Sequence, residues 1–162
     1  MKVMFTKLRE SAVVPAKRPA DAGLDLYCCS DQELLIDPLA TIKVPTGIAA
    51  VLPSHSYMQI CERSSTGSIG LKVSGGIVDA NFRGEICVFL TNVSNKAIRL
   101  VREEAPAGTD LGNAVSWPMR RAIAQGIVHR IPRIYVREIS SDHFRKYKNT
   151  ERGTGMQGST GK

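Results

Sequence analysis

A chain of 162 residues with 43% hydrophobic and 23% charged side chains holds enough apolar material for one buried core, which excludes a wholly disordered chain and fits one domain with a short arm. No apolar run approaches the ~18 residues of a membrane helix, and the residues before Lys7 and Arg9 lack the apolar stretch of a secretory leader. The formal net charge of +7 falls entirely after Trp117, where seven Arg and three Lys meet Glu138, Asp142 and Glu151. A basic C-terminal third suits an anionic partner (nucleic acid, membrane surface or a phosphorylated small molecule) or simply a soluble basic surface.

Short apolar runs separated by turn residues predict strands over 3–8, 24–28, 33–36, 41–44, 48–52, 57–61, 77–78, 86–92, 97–101, 123–129 and 134–138. Pro15, Pro19, Pro38, Pro45 and Pro53 fall between them. This spacing is that of an all-β sandwich or barrel. No long window sustains a helical period, and only a short helical turn is expected after Ser64. Residues 104–119 read as a long loop inserted in a core spanning 1–143, and loops of that length are often functional. Its Trp117 either covers a ligand or packs on its own subunit and pins the loop. Residues 144–162 are polar, basic and Gly-rich, the composition of a mobile C-terminal arm. Cys28, Cys29, Cys61 and Cys87 lack CxxC spacing and read as reduced intracellular thiols. His55, His129 and His143 are isolated, which disfavours a zinc site.

Four segments carry candidate chemistry. Arg152, Gly153, Gly158, Ser159, Thr160 and Gly161 combine glycine backbone, hydroxyls and a guanidinium, a phosphate-wrapping composition without the Walker order, or else a frayed terminus. Arg63, Ser64 and Ser65 suit phosphate oxygens, and equally an ordinary polar turn. The stretch 75–84 suggests a tight β-hairpin whose backbone reads a base edge, with Asp79 as a general base for a water or as a loop Asp making its own turn. Asp25, beside Gly23 at a strand start, offers a carboxylate for hydrated Mg²⁺ or a cap for the turn.

Taken in order, these segments resemble the trimeric dUTPase family. Ala22-Gly23-Leu24-Asp25-Leu26 is similar to its first motif and Arg63-Ser64-Ser65 to its second. The third motif resembles Gly76-Ile77-Val78-Asp79-Ala80-Asn81-Phe82-Arg83-Gly84. Ile123-Ala124-Gln125 is similar to the fourth, and Arg152-Gly153 with Gly158-Ser159-Thr160-Gly161 to the fifth. The resemblance implies a jelly-roll-like distorted β-barrel and a homotrimer whose sites draw on all three subunits, each arm closing over a neighbour. It implies hydrolysis of dUTP to dUMP and diphosphate with Mg²⁺ on the triphosphate, in an intracellular compartment, cytoplasmic or nuclear, limiting uracil in DNA. By that resemblance Asp79 activates the water, and Gly76, Ile77 and Val78 read uracil through their backbone. Phe82 packs under deoxyribose. Arg63, Ser64, Ser65 and Gln125 hold phosphates; Arg152, Gly158, Ser159 and Thr160 clamp the terminal phosphate; Asp25 orders the metal's waters. The implied partners are dUTP and further copies of the chain, without direct nucleic-acid or membrane contact, and a protein partner through 104–119 stays open.

The chain departs from the family pattern in places. Phe82 replaces the usual Tyr, Met156-Gln157 stand where an arm aromatic usually precedes Gly-Ser-Thr-Gly, Glu62 replaces a common Pro, Arg121 reverses a charge, and 104–119 replaces a short turn. These departures keep a second reading in view, a degenerate member serving as a regulatory or protein-binding module. The sister enzyme dCTP deaminase fits less well, because Phe89 stands where its catalytic Glu is expected.

Overall fold

The computed structural model describes residues 1–102, 106–150 and 153–154. The chain divides into two compact units, Met1–Ile131 and Pro132–Lys162. The first holds β1 (Met4–Lys7), β2 (Leu24–Leu26), β3 (Leu34–Ile36), β4 (Thr41–Pro45), β5 (Ile48–Val51), β6 (Ser56–Cys61), α1 (Ser64–Gly67), β7 (Leu71–Ser74), β8 (Ile77–Asp79), β9 (Cys87–Asn92), β10 (Ala97–Val101), β11 (Ala114–Pro118) and β12 (Ala124–Arg130). The all-β expectation holds, but no ladder among the described residues closes a barrel. The strands instead form four open sheets, ordered β1-β5, β11-β10-β3, β2-β12-β6-β8 and β4-β9-β7.

Alternation explains how these short strands share one core. In β6, Ser56, Met58 and Ile60 are buried while Tyr57, Gln59 and Cys61 stand half-exposed, the period of two that a sheet with one covered face requires. Val88 and Leu90 of β9 and Ile98 and Leu100 of β10 are buried completely. They pack in one cluster with Leu26, Ile36, Val44, Ile48, Met58, Leu71, Ile86, Trp117 and Ile123.

Three expectations are corrected. The stretch 104–119 is not all loop: Ala114–Pro118 forms β11, parallel to β10 with Ala97 opposite Ala114 and Leu100 opposite Trp117. The turn before it covers the outer edge of β11. There the Gly108 amide donates to the Ser116 carbonyl (2.8 Å), the Ser116 amide to Thr109 (2.9 Å) and the Leu111 amide to Ala114 (2.7 Å). Trp117 is 2% exposed, with the Arg121 guanidinium 5.4 Å from its ring centroid; it packs in the core rather than over a ligand. Second, the hairpin expected over 75–84 is absent. β7 pairs with β9 and β8 pairs with β6, so Gly75 and Gly76 carry the chain from one sheet to another. Third, 134–138 is not a strand. Its β-branched composition suits one, but no ladder partner for it lies among the described residues, and Tyr135 and Val136 are exposed. Among the described residues of this second unit the helix is α2 (Ser141–Arg145). The Ser140 hydroxyl caps it, accepting from the His143 amide, and His143 stacks on Tyr147 at 5.5 Å.

Candidate active site

Two depressions in the first unit gather most of the chemistry-bearing residues. The larger is a cleft of about 730 Å³ lined by Asp25, Arg63, Gln125, Lys17, Gly23 and Tyr27, among others. Neighbouring strands build it: Gln125 on β12 lies opposite Asp25 on β2 and Cys61 on β6. Residues in one row of a sheet share a face, so Asp25 and Gln125 stand side by side. Arg63, two residues beyond Cys61, reaches back to the same row. Its Nε donates to Asp25 Oδ1 at 3.0 Å, both side chains being about one-third exposed. Gln125 Nε2 donates to the Glu62 carbonyl at 3.0 Å.

The backbone around this pair is fixed locally. Thr66, fully buried in α1, accepts from the Arg63 amide (3.1 Å) and donates to the Arg63 carbonyl (3.0 Å). That leaves Ser64 exposed and Ser65 half-buried beside Arg63. The Glu62 carboxyl is held below the usual carboxylate range, first by its own backbone N–H and then by Lys72, whose Nζ lies 3.1 Å away. Gly23 is required by space, since a Cβ there would collide with the Gln125 side chain. Lys17 lines the cleft, but its ammonium is occupied by the carbonyls of Arg18 (3.1 Å), Pro19 (3.2 Å) and Asp21 (2.6 Å). It organises the loop rather than presenting a loose charge.

The smaller cavity, about 260 Å³, is lined by Gly75, Ile77, Val78, Asp79 and Phe82 together with Lys43, Cys87 and Phe89. Main chain shapes much of it. Gly75 sits at φ +63°, in the left-handed region, and a Cβ on Gly76 would strike the Ile60 carbonyl; that carbonyl's own residue donates its amide to the Gly76 oxygen at 2.6 Å. Such close approach is what glycine permits. Beyond β8 the chain turns back, the Phe82 amide donating to the Asp79 carbonyl at 3.1 Å. Arg83 closes the turn on the carbonyls of Ala80 (2.7 Å) and Phe82 (2.8 Å). Asp79 is exposed and Phe82 is 45% exposed. Burial pushes the Cys87 thiol up, with the Glu85 charge adding to it.

The fold therefore brings Asp25, Arg63 and Gln125 together in the cleft, with Ser64 and Ser65 following Arg63 in α1 but not lining it, and Ile77, Val78, Asp79 and Phe82 together in the cavity, with Gly76 next to Ile77 in the chain. Asp25 is on one edge strand of the β2-β12-β6-β8 sheet and Asp79 on the other, opposite Tyr57, four residues from Cys61. At ordinary strand spacing their Cα atoms are about 20 Å apart, too far for one phosphate to touch both. Arg152, Gly158, Ser159 and Thr160 lie outside the described residues. Among the described residues no three His, Cys, Asp or Glu side chains cluster as a metal site. Sequence reasoning missed Lys17, Lys43 and Phe89. The adjacent bases Lys17-Arg18 ahead of Asp21 were a visible signal for the first, whereas Lys43 and Phe89 look like ordinary strand residues.

The dUTPase family model matches residues 9–104. A deoxyuridine 5'-triphosphate nucleotidohydrolase of Hydrogenobaculum sp. (strain Y04AAS1) is 33% identical, over 99% of each chain. The fold is similar to that of a Staphylococcus bacteriophage 80alpha dUTPase variant solved with dUpNHpp, with a TM-score of 0.75 at 20% identity and 99% of each chain covered. It is also similar to that of a variant dUTPase of phage phi11 of S. aureus, described with a structural Mg(II) ion, at a TM-score of 0.68 and 17% identity over 87% of this chain and 98% of that one. With the family match covering β2, β6 and β8 and a relative 33% identical over 99% of each chain, the chain belongs to the dUTPase family.

Proposed function

We propose that the chain hydrolyses dUTP to dUMP and diphosphate with its two depressions acting as the halves of one site, the phosphate half of one copy completed by the nucleoside half of another. The observation that carries this reading is the position of Asp25 and Asp79 at opposite edges of one sheet, with complementary chemistry at each end. Assembly as a homotrimer follows the family pattern and supplies the second copy.

In the nucleoside half, the backbone of Gly76, Ile77 and Val78 reads the uracil edge, and Phe82 lies under the sugar. Asp79 accepts a proton from the attacking water as the bridge between the α- and β-phosphates breaks. A positioned base of this kind contributes about 10²–10⁴-fold. In the phosphate half, Arg63, already oriented by Asp25, presents its fork to the phosphates with Ser64, Ser65 and Gln125. A guanidinium held before the ligand arrives costs little reorganisation, and charge stabilisation is the main demand of phosphoryl chemistry. Arg152, Gly158, Ser159 and Thr160 complete the clamp from the C-terminal arm, residues 144–162.

The residues present fit Mg²⁺ as an ion that travels with the triphosphate. Asp25 offers a carboxylate, one of whose oxygens is engaged by Arg63, in an open cleft with room for water. An ion of this kind commonly takes one or two carboxylates, phosphate oxygens and several waters. When bound it would neutralise phosphate charge and favour departure of diphosphate. The substrate is a free nucleotide, and the work is intracellular, where it limits uracil in the deoxynucleotide pool.

Incubation of the purified chain with Mg²⁺ and dUTP, dCTP, dTTP or UTP tests the reading. The expected products are dUMP and diphosphate from dUTP, with little turnover of the others. Ammonia release from dCTP, or no turnover of dUTP at high protein concentration, would overturn it.

A further inference from the structure

The outward face of β9 carries a ring that the mechanism above does not use. Val88 and Leu90 are fully buried, whereas Phe89 between them is 40% exposed. Its row neighbours are Lys43 on β4 and Ser74 on β7. One step along, the Thr91 hydroxyl is hydrogen-bonded to those of Thr41 (2.8 Å) and Ser74 (2.7 Å). The face around the ring is therefore polar, and an exposed aromatic there gains little from burial within its own sheet. It does line the 260 Å³ cavity, together with Ile77, Val78, Asp79 and Phe82.

We infer that Phe89 is the ring on which the base of the bound nucleotide rests. The inference rests on the reading that the nucleoside enters this cavity. The two aromatic rings of the cavity divide along the nucleotide. Phe82 is tied to Asp79 through its amide, so it serves the part next to the reacting phosphate, which is the sugar. Phe89 lies opposite Ser74, at the start of the Gly75-Gly76 turn, and so serves the part whose edge that turn reads, which is the base. Trp117 is buried away from any such role, and Tyr57 is already stacked on His129 at 5.1 Å. A flat apolar face beside a backbone that reads one edge is the usual construction of a base pocket.

The test uses the full-length chain and three variants, Phe89→Ala, Phe89→Leu and Phe89→Tyr. Affinity for dUMP is measured by calorimetry, inhibition by inorganic diphosphate and KM and kcat for dUTP by kinetics, and folding by thermal melting. Loss of one base–aromatic stack corresponds to roughly five- to 150-fold in affinity. Phe89→Ala and Phe89→Leu should weaken dUMP by that factor and raise KM with little change in kcat, the pattern for binding shared by ground and transition states. Phe89→Tyr should restore both, and inhibition by diphosphate should stay constant throughout. Unchanged dUMP affinity in Phe89→Ala, or a parallel loss of diphosphate inhibition, would overturn the inference while leaving the activity in place. A parent chain that neither binds dUMP nor turns over dUTP would overturn the underlying reading as well.

Discussion

The cleft around Asp25 and Arg63 and the cavity around Ile77 and Asp79, proposed above as the phosphate and nucleoside halves of one site, are built by opposite means. In the cleft, side chains hold one another: Asp25 orients Arg63, the Glu62 carbonyl holds Gln125, and three adjacent strands set their spacing. In the cavity, backbone and exposed rings do the shaping. Gly75 and Gly76 bring main chain within reach of a ligand, and Phe82, Phe89 and Asp79 stand open to solvent. The contrast teaches how each half tolerates change. Charged groups that must meet a polyanion are fixed in advance because reorganising them would be costly. On the proposed reading a base edge meets main-chain donors and acceptors, which no substitution of a side chain removes directly.

The sharpest way to break this contrast is Asp79→Asn, since Asp79 is the carboxylate in the cavity that the mechanism requires to accept a proton. A drop in kcat of about 10²–10⁴-fold is expected, with dUMP affinity retained, because an amide still hydrogen-bonds. Rapid-quench turnover and calorimetry on one preparation measure both, and near-normal kcat would move the base elsewhere. Next comes Trp117→Ala, which removes a ring belonging to neither half. Emptying that core position should cost about 3–5 kcal/mol of stability, read as a fall in melting temperature, with KM unchanged in the protein that remains folded. The emission of Trp117 in the parent should likewise not move when a non-hydrolysable dUTP analogue saturates the site.

The smallest effect is expected at Glu62→Gln, on the rim of the cleft. The Glu62 carboxyl is held below its ordinary value, so the stability it contributes is present above the unfolded carboxylate pKa and is lost as pH falls through the lower folded value. The exposed Lys72 pair is worth about 0–1 kcal/mol. Parent and variant should thus differ slightly in melting temperature at neutral pH and converge in acid.

What the sequence disclosed follows from where the information resides. The alternation in 57–61 and 97–101 announces strands because one face is buried, and the match to β6 and β10 is close. β11 was hidden because it follows a Gly- and Pro-punctuated crossover and is held by a parallel partner that local pattern does not reveal. The opposite error, at 134–138, has the same cause: composition suits a strand, but a ladder needs a partner. The glycines at 75 and 76 marked a tight backbone correctly, yet which strands they join is decided by pairing of β8 with β6. At the site, Arg63, Asp25, Gln125 and Asp79 were legible as chemical types in ordered motifs. Phe89 was not, because an apolar residue in a strand reads as core until the sheet shows which way it points.

The central claim is that one chain carries two half-sites and that catalysis joins halves from different copies. Co-expression of Asp79→Asn with Arg63→Ala, each defective alone, measures it directly. Mixed assemblies place an intact Asp79 cavity against an intact Arg63 cleft at some interfaces, so the account predicts that dUTP hydrolysis returns well above the sum of the two variants assayed separately. Activity no greater than that sum, in assemblies shown by mass spectrometry to contain both chains, would contradict it.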